Sequence, residues 1–159
     1  MIKITVIALG RLKEEYLLEA CNEYKKRLTR YCSLDIIEIE PVRLPEKPSD
    51  AEVKTALQKE AQLIVKKIPQ NSDVYTLCVE GKPLSSEKFA ENISASQNMG
   101  KNITFIIGSS YGLCESVKAM SKLKLSFSQM TFPHQLFRTM LLEQIYRAFK
   151  INEGSTYHK

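Results

Sequence analysis

Residues 103–112 read Ile-Thr-Phe-Ile-Ile-Gly-Ser-Ser-Tyr-Gly, an apolar run that leads directly into a loop bounded by Gly108 and Gly112. A short apolar run that ends at glycine is typical of a buried strand. Glycine also lets a backbone adopt positive φ or approach a ligand closely. The loop matches neither the G-x-G-x-x-G fingerprint nor a Walker loop. Spacing alone therefore fits both a ligand-binding loop and an ordinary strand-to-helix turn.

Strand and helix patterns alternate on both sides of this segment. Strands are predicted over residues 2–9, 34–39, 73–79, 103–107 and 123–127. Helices are predicted over 14–31, from the capping box of Ser49 and Glu52 to 68, from Ser85 or Ser86 to about Asn98, and over 133–151. Residues 81–83 are predicted to form a turn. The alternation indicates an α/β fold, a mostly parallel sheet flanked by helices, in a single domain of residues 1–159.

Ligands of such sheets bind at the carboxyl ends of the strands. That rule selects three loops of this chain, residues 79–82, 108–112 and 126–132. The candidate ligand site therefore lies where these loops meet.

The charge of the chain bears on its partners. The net charge is +5 and the isoelectric point is about 9.0, which favours a polyanionic partner such as nucleic acid without requiring one. The densest basic cluster, Lys25-Lys26-Arg27 with Arg30, is either a solvated helix end or a patch that contacts phosphate.

Other classes of protein are disfavoured by what the sequence lacks. It contains no apolar run of about 18 residues, and its first residues lack the apolar core and cleavage site of a signal peptide, so a cytoplasmic location is expected. The four cysteines form no C-x-x-C pair, which argues against a zinc site or a redox motif. We therefore expect no membrane span and no metal.

The segment before the last predicted helix mixes apolar and hydroxyl residues. Phe127–Phe132 could present backbone groups to an adenine edge between phenylalanine and methionine walls, or it could be a buried strand end with a helix cap at Thr131. Thr131 and Pro133 fit a helix start. His134 lies on that first turn, where the helix terminus disfavours the imidazolium form, so either a neutral role or no chemical role is open.

The C-terminus ends in Tyr157-His158-Lys159, which is either a frayed tail or a segment docked against a site. Glu143 and Arg147 are spaced i, i+4 and could form a helix-surface ion pair. Arg138 and Arg147 are half a turn out of phase, so they cannot serve the same face.

Several of these segments together resemble one family, the pseudouridine-N3 methyltransferases of 23S ribosomal RNA in the SPOUT superfamily. The resemblance covers the chain and rests on motifs that match in order and in terminal position. They are Ile106-Ile107-Gly108-x-x-x-Gly112-Leu113, Leu125-Ser126-Phe127-Ser128-x-Met130-Thr131-Phe132-Pro133-His134, Tyr146-Arg147-Ala148-Phe149-Lys150-Ile151 and Tyr157-His158-Lys159. Ser109 stands where the family usually has a second glycine.

The resemblance implies a fold, a cofactor and a set of site residues. The fold is a SPOUT-type sheet with a C-terminal trefoil knot, and the cofactor is S-adenosylmethionine. The catalytic residues implied are Arg147, Tyr157 and His158, with His158 as base or proton relay. The cofactor-binding residues implied are Leu77, Gly108, Phe127, Ser128, Gln129, Met130, Thr131 and Phe132.

The resemblance also implies partners. The substrate is N3 of a pseudouridine in helix 69 of 23S rRNA, expected within the assembled ribosome, and the enzyme is a homodimer with a shared site. An apolar stripe of the last helix is expected to contribute to the dimer (Phe137, Met140, Leu141, Ile145 and Phe149). Two alternatives remain open: a ribosome-binding module without catalysis, and a SPOUT methyltransferase that acts on tRNA.

Overall fold

Five parallel strands form a single sheet in the computed structural model, which describes all 159 residues. The spatial order is β2-β1-β4-β3-β5. The strands are β1 (Ile2–Leu9), β2 (Cys32–Ile39), β3 (Ser72–Pro83), β4 (Asn102–Ile107) and β5 (Leu123–Ser126). The helices are α1 (Glu15–Leu28), α2 (Asp50–Val65), α3 (Ser86–Asn98), α4 (Glu115–Ala119) and α5 (His134–Asn152). The predicted α/β class, a parallel sheet flanked by helices, is confirmed.

Helices cover both faces of the sheet. The larger core cluster joins α1, α3 and α5 to one face, and a smaller cluster joins α2 and α4 to the other. On the first face α5 lies between α1 and α3. Because every central strand is covered on both sides, β1 and β4 are almost continuously apolar.

The turn predicted at residues 81–83 is wrong. The chain continues as β3 after an irregularity between Leu77 and Lys82, and Lys82 then pairs with Leu125. Gly81 allows this path, since a Cβ atom there would lie 2.6 Å from the carbonyl oxygen of Lys124. The Gly-Lys-Pro sequence suggested a turn because glycine and proline usually interrupt strands.

The other differences concern the ends of some elements, including β2, which begins at Cys32 rather than residue 34, and one further helix. α1 stops at Leu28 rather than residue 31, and α2 stops at Val65 rather than 68. The five-residue helix α4 was not predicted, because it is too short to show a periodic pattern.

The apolar stripe of α5 divides between the core and the surface. Leu141 and Ile145 are fully covered by the chain itself, and Phe149 nearly so, so these three do not face a partner as the sequence had allowed. Phe137 and Met140 remain partly exposed. The trefoil knot implied by the resemblance stays a prediction. None of the helices combines the length and the apolar character needed to cross a membrane.

Candidate active site

A cavity of about 290 Å³ lies at the carboxyl ends of β3, β4 and β5. All three of the segments expected to meet at the sheet edge contribute to its wall, although the first of them belongs to β3 and is not a loop. Its lining includes six of the residues implied as cofactor ligands, namely Leu77, Gly108, Phe127, Ser128, Thr131 and Phe132. Apolar side chains alternate with hydroxyl and backbone groups, as in sites that hold a flat heteroaromatic ring.

The loop after β4 is closed by its own backbone. The N–H of Gly112 donates to the carbonyl oxygen of Ser109 at 2.8 Å, and Gly112 has a φ of +85°. A Cβ atom at Gly108 would lie 2.5 Å from the carbonyl oxygen of Gly112. Gly108 is therefore required by the closed form of the loop itself.

The loop after β5 is shaped by two serines. Ser126 Oγ donates to the carbonyl oxygen of Ser128 at 3.1 Å, and Ser128 Oγ accepts from the N–H of Met130 at 3.0 Å. The turn carries Gln129 and Met130 to the surface, where Met130 is 74% exposed and neither lines the cavity. A role for these two residues in cofactor binding stays a prediction.

Three phenylalanine rings form part of the cavity wall. The rings of Phe127 and Phe132 lie 5.4 and 5.8 Å from the ring of Phe137, in tilted and edge-on arrangements. Phe137 belongs to the first turn of α5, so the start of that helix holds the β5 loop in place. His134 lines the same cavity, and burial lowers the pKa of its imidazole, which favours the neutral form expected from sequence.

A second, larger cleft of about 690 Å³ adjoins the first across the Ser109–Ser110 loop. It contains Glu60, only 3% exposed, whose carboxylate accepts from the N–H of Val42 at 2.9 Å and from Ser109 Oγ at 3.3 Å. Burial raises the pKa of Glu60. This cleft was not predicted, because in the sequence Glu60 looks like one more polar residue of α2.

Arg138 faces this cleft and not the tail. Its Nη1 donates to Glu38 Oε2 at 2.7 Å and its Nη2 to the carbonyl oxygen of Gly10 at 3.1 Å. The two arginines of α5 therefore serve different faces of the helix, as their spacing predicts.

The C-terminal tail is docked against α5. The hydroxyl of Tyr157 donates to Glu143 Oε1 at 3.1 Å, and the guanidinium of Arg147 lies 4.9 Å from the centre of the Tyr157 ring. Arg147 in turn donates through Nε and Nη2 to the two carboxylate oxygens of Glu143, at 3.2 and 2.7 Å. The structure thus brings Tyr157 and Arg147 together through Glu143, whose spacing had suggested only a surface ion pair.

His158 completes this cluster. Its Nδ1 lies 3.1 Å from Arg147 Nη1 and its Nε2 lies 2.7 Å from Glu87 Oε1, in the first turn of α3. Burial, followed by the charge of Glu143, raises the pKa of the Tyr157 phenol, so Tyr157 remains a donor near neutral pH. Nothing in the sequence pointed to Glu87, which lies 71 positions before His158.

Four residues, Glu143, Arg147, Tyr157 and His158, are called the tail cluster below. Within a single chain, the tail cluster is separate from the cavity. Arg147 lies 13 positions after His134 on α5, which corresponds to about 20 Å along a helix that rises about 1.5 Å per residue. None of Arg147, Tyr157 and His158 lines the cavity. The structure therefore brings most of the predicted cofactor residues together, and the predicted catalytic residues together, at two different places.

Comparison with known proteins identifies the family of this chain. A family model described as "Predicted SPOUT methyltransferase" matches residues 2–158. A relative from Methanococcus maripaludis is 52% identical over 157 residues, covering 98% of this chain and 99% of its own. Relatives from Clostridium perfringens and Enterococcus faecalis are 50% and 48% identical, with 98% and 99% of this chain and 99% of each relative covered; both are named ribosomal RNA large subunit methyltransferase H.

A weaker likeness links the chain to a solved structure, the SpoU methyltransferase AviRb from Streptomyces viridochromogenes in complex with AdoMet. The TM-score is 0.47 at 11% identity, and the match covers 97% of this chain and 59% of that one. A likeness at this level supports no inference about the site. The family match over almost the whole chain and the half-identical relatives are sufficient by themselves: this chain belongs to the SPOUT methyltransferase family.

Proposed function

We propose that this protein transfers a methyl group from S-adenosylmethionine to N3 of a pseudouridine in helix 69 of 23S rRNA. We propose further that it acts in the cytoplasm, as a homodimer, on the assembled ribosome. The observation that carries the proposal is the cavity at the ends of β3, β4 and β5, which gathers six of the implied cofactor residues in a chain half identical to named rRNA large subunit methyltransferases.

The residues around the cavity suit the proposed cofactor. The leucine and phenylalanine side chains of Leu77, Leu125 and Phe127 offer apolar surface for an adenine ring, and the backbone of the β5 loop offers donors and acceptors for its edge. When bound, the cofactor supplies an activated methyl group on sulfonium.

The tail cluster suits the acceptor base. Tyr157 offers a ring for stacking, and Arg147 offers donors for the carbonyl groups of a uracil-like ring. As N3 forms its bond to the methyl carbon and the carbon–sulfur bond breaks, the N3 proton passes to a base. His158 is the imidazole of the tail cluster and is assigned this role, and orientation of donor and acceptor accounts for much of the remaining catalysis.

The distance between the two places favours a shared site. In an isologous dimer the same surface of both copies is used, so two α5 helices that lie antiparallel would bring the C-terminal end of one to the N-terminal end of the other. The tail cluster of one copy would then lie beside the cavity of its partner. Phe137 and Met140 are partly exposed apolar residues of α5 on which such a contact could be built.

Nucleoside mapping of 23S rRNA tests the function. Cells that lack the protein should lose one methyl group at one pseudouridine, and the purified protein with S-adenosylmethionine should restore it on their ribosomes. Unchanged rRNA, with a methyl group missing from tRNA, would favour a tRNA enzyme. Unchanged RNA together with ribosome binding would favour a module without catalysis.

A further inference from the structure

The end of α1 forms a basic surface beside the tail cluster. Lys25, Lys26, Arg27 and Arg30 are all exposed. Lys25, Lys26 and Arg30 form no salt bridge, and only Arg27 has an acidic partner, Glu23 at 3.0 Å. These four residues are called the α1 basic patch below.

Aromatic rings lie directly under this patch. The guanidinium carbon of Arg27 lies 5.4 Å from the centre of the Tyr24 ring and 5.7 Å from that of Tyr146. Cations on ring faces are stabilised by the ring quadrupole, and a flat guanidinium can also stack on other planar groups. Arg27 is therefore held in one orientation, with 41% of its side chain exposed.

The same rings connect the patch to the tail. The ring of Tyr146 lies 5.1 Å from the ring of Tyr157, in an edge-on arrangement. Tyr31 packs edge-on against Tyr146 at 6.0 Å and stacks on Phe149 at 5.3 Å. The α1 basic patch and the tail cluster are thus connected by packed aromatic rings.

Such a surface has the chemistry that single-stranded RNA requires. Exposed lysines contact phosphates without regard to sequence, and an arginine plane can stack on an unpaired base. A basic helix end without the rings would be an ordinary solvated surface. Here the rings fix Arg27 and lead to the residues proposed to hold the acceptor base.

We propose that the α1 basic patch binds the unpaired nucleotides next to the target base, with the lysines and Arg30 on phosphates and Arg27 stacked on a base. This inference rests on the proposed function, since it assumes that the tail cluster holds the acceptor.

A charge-matched pair of variants tests the proposal. The first is Lys25→Ala/Lys26→Ala/Arg30→Ala. The second, Lys59→Ala/Lys66→Ala/Lys67→Ala, removes three exposed cations near or on α2, on the opposite face of the sheet. Both variants have the same net charge, so a general electrostatic effect should be equal in the two. Ribosomes from cells that lack the protein serve as substrate, and KM is measured over a series of salt concentrations.

The patch variant should raise KM roughly tenfold at physiological salt. It should also reduce the slope of log affinity against log salt by about 2, because each lost phosphate contact in single-stranded RNA removes about 0.7 from that slope. Cofactor affinity should stay unchanged, and the α2 variant should behave like the wild type in KM and in slope.

Two results would overturn the inference while leaving the proposed function intact. One is a wild-type KM and salt slope in the patch variant; the other is an equal change in both variants. If the wild-type protein itself methylates no ribosome, the proposed function fails. That result is separate from any difference between the two variants.

Discussion

The Nδ1 atom of His158 lies 3.1 Å from Nη1 of Arg147. A guanidinium has only donors, so Nδ1 accepts this hydrogen bond, and the hydrogen of a neutral imidazole is then on Nε2, which donates to Glu87 at 2.7 Å. Both ring nitrogens are therefore engaged in the single chain. If His158 takes the N3 proton, its ring must first leave Arg147, and arrival of the substrate base is the event that could release it.

The first prediction concerns His158. His158→Ala should slow the single-turnover methyl transfer by about 10²–10⁴-fold, the usual range for general acid–base catalysis. Cofactor affinity measured by calorimetry should not change, because His158 does not line the cavity. Thr156→Ala, at an exposed position of the same tail, is the control. A wild-type rate in His158→Ala would mean that another group or solvent takes the N3 proton.

The second prediction concerns Gly108. Gly108→Ala should lower the free energy of unfolding by roughly 1–3 kcal/mol, the range for forcing an extra carbon into a packed site, since its Cβ would lie 2.5 Å from the carbonyl oxygen of Gly112. Urea unfolding measures the loss. Ser110→Ala in the same loop should change little. Full stability of Gly108→Ala would mean that the loop can open, and the glycine would then serve the ligand alone.

Gly108 also shows what the sequence could and could not predict. The alternation of apolar runs predicted the parallel sheet and two of the three loops at its edge, because strand patterning and the carboxyl-end rule depend only on local sequence and on general topology. The same rule did not reveal that Gly108 is in contact with Gly112. That contact depends on the closed form of the loop, which no local pattern encodes.

The tail shows the complementary case. The sequence left a frayed tail and a docked tail both open, and in the structure Tyr157 and His158 are held by Glu143, Arg147 and Glu87. The contact of His158 with Glu87 joins residues 71 positions apart, and only the packing of α3 beside α5 creates it. For the same reason the cleft around Glu60 was not predicted.

The third prediction concerns a buried carboxylate at the other end of the sheet. Asp73 accepts from Ser96 Oγ at 2.6 Å, from Lys122 Nζ at 3.0 Å and from Lys101 Nζ at 3.2 Å. Burial by itself would raise the pKa of Asp73, but these donors outweigh it and the pKa is lowered. Asp73→Asn should cost about 1–3 kcal/mol near neutral pH, the range for a buried polar group that loses its partner.

The pH dependence follows from the sign of that shift. A lowered pKa in the folded state gives stability that is present above the unfolded value of about 3.9 and is lost as the pH falls through the folded value. The difference in unfolding free energy between wild type and Asp73→Asn should therefore shrink below about pH 4. A difference that stays constant from pH 7 to pH 2 would exclude the charge of Asp73 as its source.

The fourth prediction concerns association. Met140→Asp should weaken the proposed dimer and lower methyl transfer together, because a charge would enter the contact between two α5 helices. Light scattering at micromolar concentration measures the mass. Leu63→Asp places the same charge on a 43% exposed position of α2 and should leave the dimer intact. A wild-type protein that is monomeric and fully active would contradict the shared site.

The fifth prediction tests the central claim, that two copies of this chain build one rRNA methylation site. His158→Ala lacks the proposed base, and Phe132→Asp, which places a charge in the wall of the cavity, should lack cofactor binding. Each variant alone should be nearly inactive on ribosomes with labelled S-adenosylmethionine.

Mixing the two variants is the most direct measurement. After subunit exchange in an equal mixture, about half of the dimers are mixed, and each mixed dimer has one intact site of two, so methyl transfer should return to about a quarter of the wild-type amplitude in single turnover. The label should be in one pseudouridine of 23S rRNA. No recovery, although mass spectrometry shows that mixed dimers have formed, would contradict the account.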